Sequence, residues 1–236
     1  MGDLNIKLVS EAQAEQLNSY DISLKYDGTL IYFKDKKLFS PRCERSQRYP
    51  HILKILIDNN FPDCMGELFI SETSNVFDVS RSENWDKVKF MIFDLLIDLP
   101  YQERIERLNW KVAELNNPFI VPMKMFNTFQ EGWKYVVDNK CEGLILRNSN
   151  NWFKCKLLQE EKIEIVMHEV GKDKGTFILA NGSRISGTSQ QFVLQYADIK
   201  NKGNKAIAEV EFCFKTQEGK LFQPRLRQIV EVSNEI

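Results

Sequence analysis

The stretch Ser23-Leu24-Lys25-Tyr26-Asp27-Gly28 decides how the rest of this 236-residue chain is interpreted. Residues 21–24 and 29–33 are rich in apolar and β-forming residues, so the pattern predicts two strands joined by Lys25-Tyr26-Asp27-Gly28. Lys25 then stands at the end of a strand, directly before the turn. This position is typical of a lysine that attacks a phosphorus atom.

Lys25 can act as a nucleophile only if its amine loses a proton, and desolvation or neighbouring cations lower the pKa of such a lysine. The later segment Lys154-Cys155-Lys156 supplies two cations on one side, because residues two apart on a strand share a face. Both ammonium groups could also hold a phosphate. Taken alone, the same alternation fits a solvated strand face.

Two glutamates provide the carboxylates that a phosphoryl or nucleotidyl transfer requires. Glu67 and Glu142 each stand in a short apolar setting, where an unpaired acid is costly, so we expect each to have a partner. Mg²⁺ is usually held by one or two carboxylates together with phosphate oxygens. The alternative for either residue is an edge-strand glutamate that faces water.

In their order along the chain, five segments resemble the motifs of the covalent nucleotidyltransferases, and most closely those of an ATP-dependent DNA ligase of minimal size. The segments are Lys25-Tyr26-Asp27-Gly28, Gly66-Glu67-Leu68, Ile92-Phe93-Asp94, Glu142-Gly143-Leu144-Ile145-Leu146-Arg147 and Lys154-Cys155-Lys156. The resemblance implies that Lys25 attacks the α-phosphate of ATP, releases pyrophosphate and carries AMP through a phosphoramide bond.

The same resemblance implies roles for the other segments. Glu67 is implied to contact the ribose of AMP, and Phe93 to stack on the adenine, although a core phenylalanine is the plainer interpretation. Glu142 is implied to be linked to a metal, so Glu67 and Glu142 are the candidate Mg²⁺ ligands. Lys154 and Lys156 are implied to grip the α-phosphate.

Two further elements resemble the family less completely. Ser40-Pro41-Arg42 is similar to a Ser-Arg element interrupted by proline, and Arg42 is the candidate for holding the nucleotide and the 5′-phosphate of a nick. Residues 219–226 resemble a motif that closes over ATP. Leu30 and Phe222 replace two arginines usual in the family, which leaves open how the phosphates are contacted there and weakens the expected adenylation. Activity is still expected, because the five segments are present.

The predicted elements indicate an α+β fold in two domains. Strands and helices alternate up to a boundary near residue 158, and short strands with Asn-Gly and Gly turns follow it. We therefore expect an adenylation domain of antiparallel sheets and helices at 1–158, and a small all-β barrel of the OB type at 159–236. An immunoglobulin-like sandwich is the alternative for the second domain, but the segment is short for it.

The charge balance excludes a globally basic nucleic-acid binder, because the net charge is −1 with 28% charged residues. Affinity for a phosphate backbone must come from local patches. Each basic cluster also fits an ordinary solvated face. The candidates for contact with nucleic acid are Arg42, Arg45, Arg48, Lys202, Arg225 and Arg227.

The remaining features indicate a soluble intracellular enzyme. Five cysteines without a Cys-x-x-Cys pair argue against a disulfide framework and structural zinc. No signal peptide is recognised, and no apolar run reaches the roughly 18 residues of a membrane helix. We expect a cytoplasmic monomer, or one at an equivalent site of DNA synthesis, with nicked duplex DNA as substrate, no membrane contact and no obligate protein partner.

Other functions share parts of this pattern. An ATP-dependent RNA ligase shares all five segments, although the barrel-like second domain favours DNA. An mRNA guanylyltransferase shares the core and the barrel, but its usual Trp-bearing last motif is absent. The third alternative is a non-catalytic OB-type protein that binds nucleic acid. An AMP adduct formed with ATP and Mg²⁺ distinguishes the enzymes from the binding protein.

Overall fold

The computed structural model describes residues 6–17, 19–149, 151–170 and 175–233. The chain divides into two compact units, residues 1–157 and 158–236. Each unit has its own hydrophobic core. The fold class is α+β, as predicted from the sequence.

Two five-stranded sheets and the helices packed on them form the first unit. Its described helices are α1 (Glu11–Glu15), α2 (Pro50–Asp58), α3 (Val76–Ser80), α4 (Tyr101–Leu115) and α5 (Phe129–Asn139), with a 3₁₀ turn at Ser82–Lys87. Its described strands are β1 (Lys7–Leu8), β2 (Asp21–Lys25), β3 (Thr29–Lys34), β4 (Lys37–Phe39), β5 (Cys64–Phe69), β6 (Lys89–Leu95), β7 (Ile120–Val121), β8 (Met125–Phe126), β9 (Gly143–Arg147) and β10 (Trp152–Lys156).

The strand orders bring distant segments of the chain together. The first sheet has the order β1-β10-β9-β2-β8, and the second has the order β4-β3-β5-β6-β7. Helix α5 packs on the first sheet and α4 on the second. Most pairings are antiparallel, as expected.

Amphipathic periodicity accounts for the helices that the sequence predicts. In α4, Ile105, Leu108 and Val112 lie on one face and are buried against the second sheet. In α5, the predicted start at Thr128 is the N-cap, whose side chain accepts a hydrogen bond from the backbone N–H of Glu131. The predicted turn between β3 and β4 has positive φ at Asp35 and Lys36, as a tight hairpin requires.

The described residues of the second unit form a five-stranded sheet, a short hairpin and one helix. Its elements are β11 (Gln159–Glu169), β12 (Gly175–Leu179), β13 (Arg184–Thr188), α6 (Gln190–Asn201), β14 (Lys205–Phe212), β15 (Phe214–Lys215), β16 (Leu221–Phe222) and β17 (Arg225–Val232). The sheet order is β13-β12-β11-β14-β17, and β13 also contacts β17. This topology is that of a small OB-type barrel.

Helix α6 corrects the expectation that strands alone form the second unit. Ser189 caps it, and its side chain accepts a hydrogen bond from the N–H of Phe192. Only Ile199 of this helix is fully buried, while Phe192, Val193 and Tyr196 are partly buried against the core. The apolar stripe is narrow, which is why the sequence pattern does not reveal the helix. None of the described helices is both long and apolar enough to cross a membrane.

Candidate nucleotide-binding and catalytic site

A cavity of about 340 Å³ lies in the first unit, where the two sheets face each other. The first sheet contributes Ser23, Lys25, Ile145, Arg147 and Trp152 to its wall. The second sheet contributes Leu30, Glu67, Met91 and Phe93. The wall is largely apolar, with Lys25 and Glu67 among its charged groups, so the cavity suits a ligand that has both an apolar and an ionic part.

Strand register explains why these residues share one wall. In the first sheet, Lys25 of β2 lies opposite Gly143 of β9, which lies opposite Lys156 of β10. Two residues further along each strand, Lys154 is paired with Ile145. Because alternate residues of a strand point to the same face, Lys25, Lys154 and Lys156 lie on the face that forms the wall.

Lys25 is held by an ion pair at one end of this cavity. Its Nζ lies 2.6 Å from Oε2 of Glu142. The other oxygen, Oε1 of Glu142, lies 2.8 Å from Nζ of Lys156. The three side chains are only 20%, 9% and 11% exposed, so water screens these interactions weakly. Glu142 therefore has the partners that its apolar setting required.

Two glycines allow the backbone to approach closely beside these residues. A Cβ atom at Gly28 would lie 1.9 Å from the carbonyl oxygen of Leu68. At Gly143, which has φ of +153°, a Cβ atom would lie 2.0 Å from the carbonyl oxygen of Cys155. Both contacts are shorter than any side chain permits. The turn after Lys25 and the start of β9 therefore require glycine at these positions.

Crowded acids surround Lys25. Burial raises the pKa of Glu67 to about 8, and Glu142 adds to this effect, while Lys25 and the N–H of Gly28 oppose it. Burial also raises the pKa of Asp27 to about 6, with a further contribution from Glu142. For Lys25, burial lowers the pKa, but the carboxylates of Glu142 and Glu67 together outweigh it, and the pKa lies above its ordinary value.

These carboxylates fit the requirement for Mg²⁺. Burial raises the pKa values of Asp27 and Glu67, and the neighbouring carboxylate of Glu142 raises both further. A divalent cation bound here would favour the charged form of these acids. Among the described residues, no group of three or more acidic, histidine or cysteine side chains could hold a metal ion by itself. A site completed by phosphate oxygens is the usual arrangement for Mg²⁺.

The other end of the cavity is aromatic. The rings of Phe93 and Trp152 meet edge to face, with 5.6 Å between their centroids. The guanidinium of Arg147 lies 5.1 Å from the ring centroid of Trp152, and one of its Nη atoms donates a hydrogen bond to the carbonyl oxygen of Phe93. Phe93 is therefore a wall residue with partial exposure and not a fully buried core side chain.

Three residues of the cavity wall, Met91, Arg147 and Trp152, have no role implied by the sequence motifs. In the sequence, Arg147 is simply the last residue of an apolar strand. Trp152 stands two residues before Lys154. The alternation of Trp152 with Lys154 and Lys156 could have placed it on the same wall. The position of Arg147 depends on the pairing of three strands, for which the sequence carries no local signal.

The predicted contacts of the first unit with nucleic acid lie elsewhere. Arg42 is exposed in the loop between β4 and α2, which Ser40 and Cys43 close by hydrogen bonds. Arg45 lies in the same loop, and the guanidinium of Arg48 lies 4.5 Å from the ring centroid of Trp85. As far as the structure describes the chain, none of these three arginines lines the cavity.

In the second unit, two of the three predicted contacts already have acidic partners. Nζ of Lys202 lies 2.7 Å from Asp198 and 3.2 Å from Glu231. Nε of Arg227 lies 2.6 Å from Glu211. Arg225 is exposed and opposite Glu211 in the sheet register. Any phosphate would compete with these carboxylates for the same cations.

Phe222 has a structural reason for standing where an arginine was expected. It lies in the hairpin of β15 and β16, opposite Phe214. The two rings stack with 4.6 Å between their centroids. The segment 219–226 therefore carries one strand of an apolar hairpin, and its two cations, Lys220 and Arg225, are exposed.

Comparisons with solved structures agree with this arrangement. A Lig E DNA ligase, described as binding DNA with a minimal scaffold, matches with a TM-score of 0.70 at 17% identity, over 98% of this chain and 100% of its own. The ligase domain of LigD from M. tuberculosis matches with a TM-score of 0.53 at 16% identity, over 95% of this chain and 94% of its own.

A third structure, a mycobacterial DNA ligase D complexed with ATP and MES, matches with a TM-score of 0.52 at 17% identity, over 95% of this chain and 94% of its own. The chain has the fold of these DNA ligases. The expected adenylation domain followed by an OB-fold unit is thereby confirmed at the level of the fold. No protein-family model and no curated protein matches the sequence.

Proposed function

We propose that the protein is an ATP-dependent DNA ligase that joins the 5′-phosphate and 3′-hydroxyl ends of a nick in duplex DNA. The observation that carries this proposal is the pairing of Lys25 Nζ with Glu142 Oε2, at 2.6 Å, in a cavity whose opposite end is formed by Phe93 and Trp152. A nucleophilic amine and an aromatic platform in one cavity suit a nucleotide whose base stacks while its α-phosphate reacts.

In the first step, Lys25 Nζ loses a proton to water, while the carboxylate of Glu142, within hydrogen-bond distance, orients the amine. The free lone pair then attacks the α-phosphorus of ATP. A nitrogen–phosphorus bond forms, the bond from the α-phosphorus to the bridging oxygen breaks, and pyrophosphate leaves with that electron pair. The second proton on Nζ is lost to water, which leaves a neutral phosphoramide nitrogen.

Glu67 and Glu142 are the residues that would hold Mg²⁺ in this site. When bound, the ion would neutralise charge on the phosphates and, by drawing on the same carboxylates, lower the pKa of Lys25. Lys154 and Lys156 share the wall with Lys25 and are the cations proposed to hold the α-phosphate.

The two later steps use the same cavity. AMP passes from Lys25 to the 5′-phosphate of the nick, and the 3′-hydroxyl then attacks that phosphate and displaces AMP. We propose that Arg42, Arg45, Arg48, Lys202, Arg225 and Arg227 contact the backbone of the DNA. The fold shared with three DNA ligases supports duplex DNA over RNA as the acceptor.

The state and location of the protein remain predictions. We propose that it acts as a monomer, without an obligate protein partner, in the cytoplasm or at an equivalent site of DNA synthesis. A single species of monomer mass in light scattering, active at the same concentration, would agree with the first part.

Adduct formation tests the proposal. Incubation with ATP and Mg²⁺ should add one AMP to the chain, on a peptide that contains Lys25. The Lys25→Arg variant should form at least about a hundredfold less of this adduct, because a guanidinium stays protonated. Lys89→Arg is the matched control, since Lys89 also lies on a strand of the first unit, outside the described wall of the cavity. The adduct should then be consumed by nicked duplex DNA.

Three outcomes would contradict the proposal in different ways. An adduct that survives Lys25→Arg means that another residue is the nucleophile. An adduct that nicked RNA consumes faster than nicked DNA means that the chain is an RNA ligase. Absence of any adduct, combined with binding of DNA, means that the protein only binds nucleic acid.

A further inference from the structure

Arg147 is a buried cation of the cavity wall to which adenylation assigns no role. It is 1% exposed and is the largest fully buried side chain among the described residues. One Nη donates to the carbonyl oxygen of Phe93, and the other lies 3.3 Å from the sulfur of Met123. Nε has no hydrogen-bond partner among the residues that the structure describes.

A buried arginine that serves only the core normally has a carboxylate partner. Arg104, in the same unit, meets this expectation, because its Nε and Nη2 donate to the two oxygens of Asp94 at 2.8 and 3.0 Å. Among the described residues, no carboxylate lies within ion-pair distance of Arg147. Burial lowers the pKa of its guanidinium, and Tyr101, Asp94 and Asp21 offset only part of this effect. Burying a charge in this way is costly, and such costs are typically found at functional sites.

Two aromatic rings lie close to the guanidinium. The guanidinium carbon lies 5.2 Å from the ring centroid of Tyr101 and 5.1 Å from that of Trp152. The Trp152 ring in turn meets the edge of Phe93. One guanidinium thus contacts the backbone of Phe93 and the ring that braces its side chain, so both the position and the tilt of the Phe93 ring depend on it.

Strand register places this group at the far end of a bound nucleotide. On β9, Arg147 is four residues from Gly143, the position opposite Lys25. A strand rises about 3.4 Å per residue, so the two positions are roughly 14 Å apart along the wall. That spacing separates the phosphate end of the cavity, at Lys25, from the end that holds the base.

We propose that Arg147 is the positioning residue of the base-binding end, and that it fixes Phe93 so that the purine of ATP can stack on the ring. This inference rests on the proposed function for the presence of a nucleotide. Arg147 acts through Phe93 and does not need to touch the nucleotide. Substitution of Arg147 should therefore lower the affinity only for ligands that carry a base.

The experiment compares ATP with inorganic tripolyphosphate as ligands of the full chain, with dissociation constants from calorimetry. Base stacking is worth one to two powers of ten in affinity, so Arg147→Met should weaken ATP binding about tenfold. Tripolyphosphate affinity should stay within about twofold. Lys111→Met is the matched control, because it removes a cation that lies over the ring of a tryptophan, Trp110, in the same unit and outside the described cavity wall.

A double-mutant cycle with Phe93→Ala tests the route of the effect. If Arg147 acts through Phe93, then Arg147→Met should cause little further loss of ATP affinity once Phe93 is alanine. Additive losses, equal losses for ATP and tripolyphosphate, or unchanged ATP affinity in a folded variant would each overturn the inference. Wild-type protein that binds neither ligand would instead overturn the proposed function.

A second variant covers the possibility that Arg147→Met does not fold. Arg147→Lys keeps a buried cation and one donor, so it should fold, retain tripolyphosphate binding and recover part of the ATP affinity. If neither variant folds, the side-chain N–H resonances of Arg147 in the wild-type chain decide. ATP should shift them and tripolyphosphate should not, and an equal response to both ligands would contradict the inference.

Discussion

Glu67 combines a carboxyl group with a setting that disfavours its charge. Burial raises its pKa to about 8, and the nearby acids Glu142 and Asp27 contribute in the same direction. Leu30, which replaces an expected arginine, lies opposite Glu67 in the strand register and lines the same cavity. An arginine there would be a cation beside Glu67, so its absence leaves the acid more easily protonated.

The raised pKa of Glu67 predicts how stability depends on pH. The folded protein binds more protons than the unfolded chain between the ordinary pKa of 4.5 and the folded value of about 8, so stability falls as the pH rises through this window. Asp27 acts in the same direction between 3.8 and about 6. In the Glu67→Gln variant, the free energy of unfolding should therefore fall less between pH 5 and 8 than in the wild type, by at least about 1 kcal/mol.

Urea unfolding followed by tryptophan fluorescence measures this effect, because all four tryptophans lie in the first unit. Glu83→Gln is the matched control, since Glu83 is exposed. An equal pH dependence of wild type and Glu67→Gln would show that Glu67 is ionised in the folded protein at neutral pH.

At the scale of elements, β6 and α4 are joined by one buried ion pair. Asp94 of β6 directly follows Phe93, and its carboxylate accepts two hydrogen bonds from Arg104 of α4. A third donor of Arg104 bonds the carbonyl oxygen of Leu99, just before the helix begins. Phe93 thus lines the cavity, while the next residue, Asp94, holds helix α4 against β6.

Breaking this pair should destabilise the first unit. Arg104→Met leaves the carboxylate of Asp94 buried with fewer donors, which we expect to cost roughly 2 kcal/mol, below the 3–5 kcal/mol typical of fully buried pairs because Arg104 is partly exposed. In the Asp94→Asn background the same substitution should cost less than half as much. Urea unfolding of the four proteins measures this coupling, and additive losses would mean that the pair contributes little.

At the scale of the whole molecule, the second unit has its own core and its own charged surface. Residues 158–236 enclose a core built around Phe177, Ala206 and Phe212, among others. Lys202 and Arg227 are held by acids of the same unit. If this unit contributes to the first step through residues 219–226, then its removal should affect that step more than the last one.

Truncation after Gln159 tests this division of labour. The shortened chain should form the adduct at Lys25 slowly, yet it should seal DNA that already carries AMP at the 5′ end, because that step uses only the carboxylates and lysines of the first unit. The slope of log K against log salt should fall by roughly 0.9 for each phosphate contact that is lost. Adduct formation as fast as in the full chain would contradict a role of the second unit in the first step.

The sequence by itself predicts the local residues of the candidate site. The motifs contain Lys25, Glu67, Phe93, Glu142, Lys154 and Lys156, and the structure brings these residues to one region of the first unit. Such motifs are local because glycine is required close to the candidate residues. Gly28 stands three residues after Lys25 and Gly143 directly after Glu142, and a Cβ atom at either position would collide with the neighbouring strand. The strong apolar periodicity of residues 101–115 likewise predicts helix α4 from the sequence alone.

Only the tertiary structure decided which residues surround that chemistry. Arg147 and Trp152 reach the aromatic end of the cavity through the register of β2, β9 and β10, and the guanidinium of Arg48 lies over the ring of Trp85. Helix α6 is stabilised by contacts with the core of the second unit, and its weak apolar stripe is not enough to predict the helix from the sequence. The physical reason is that strand register and packing depend on contacts between residues far apart in the chain. A sequence motif reflects only the requirements of residues close together in the chain.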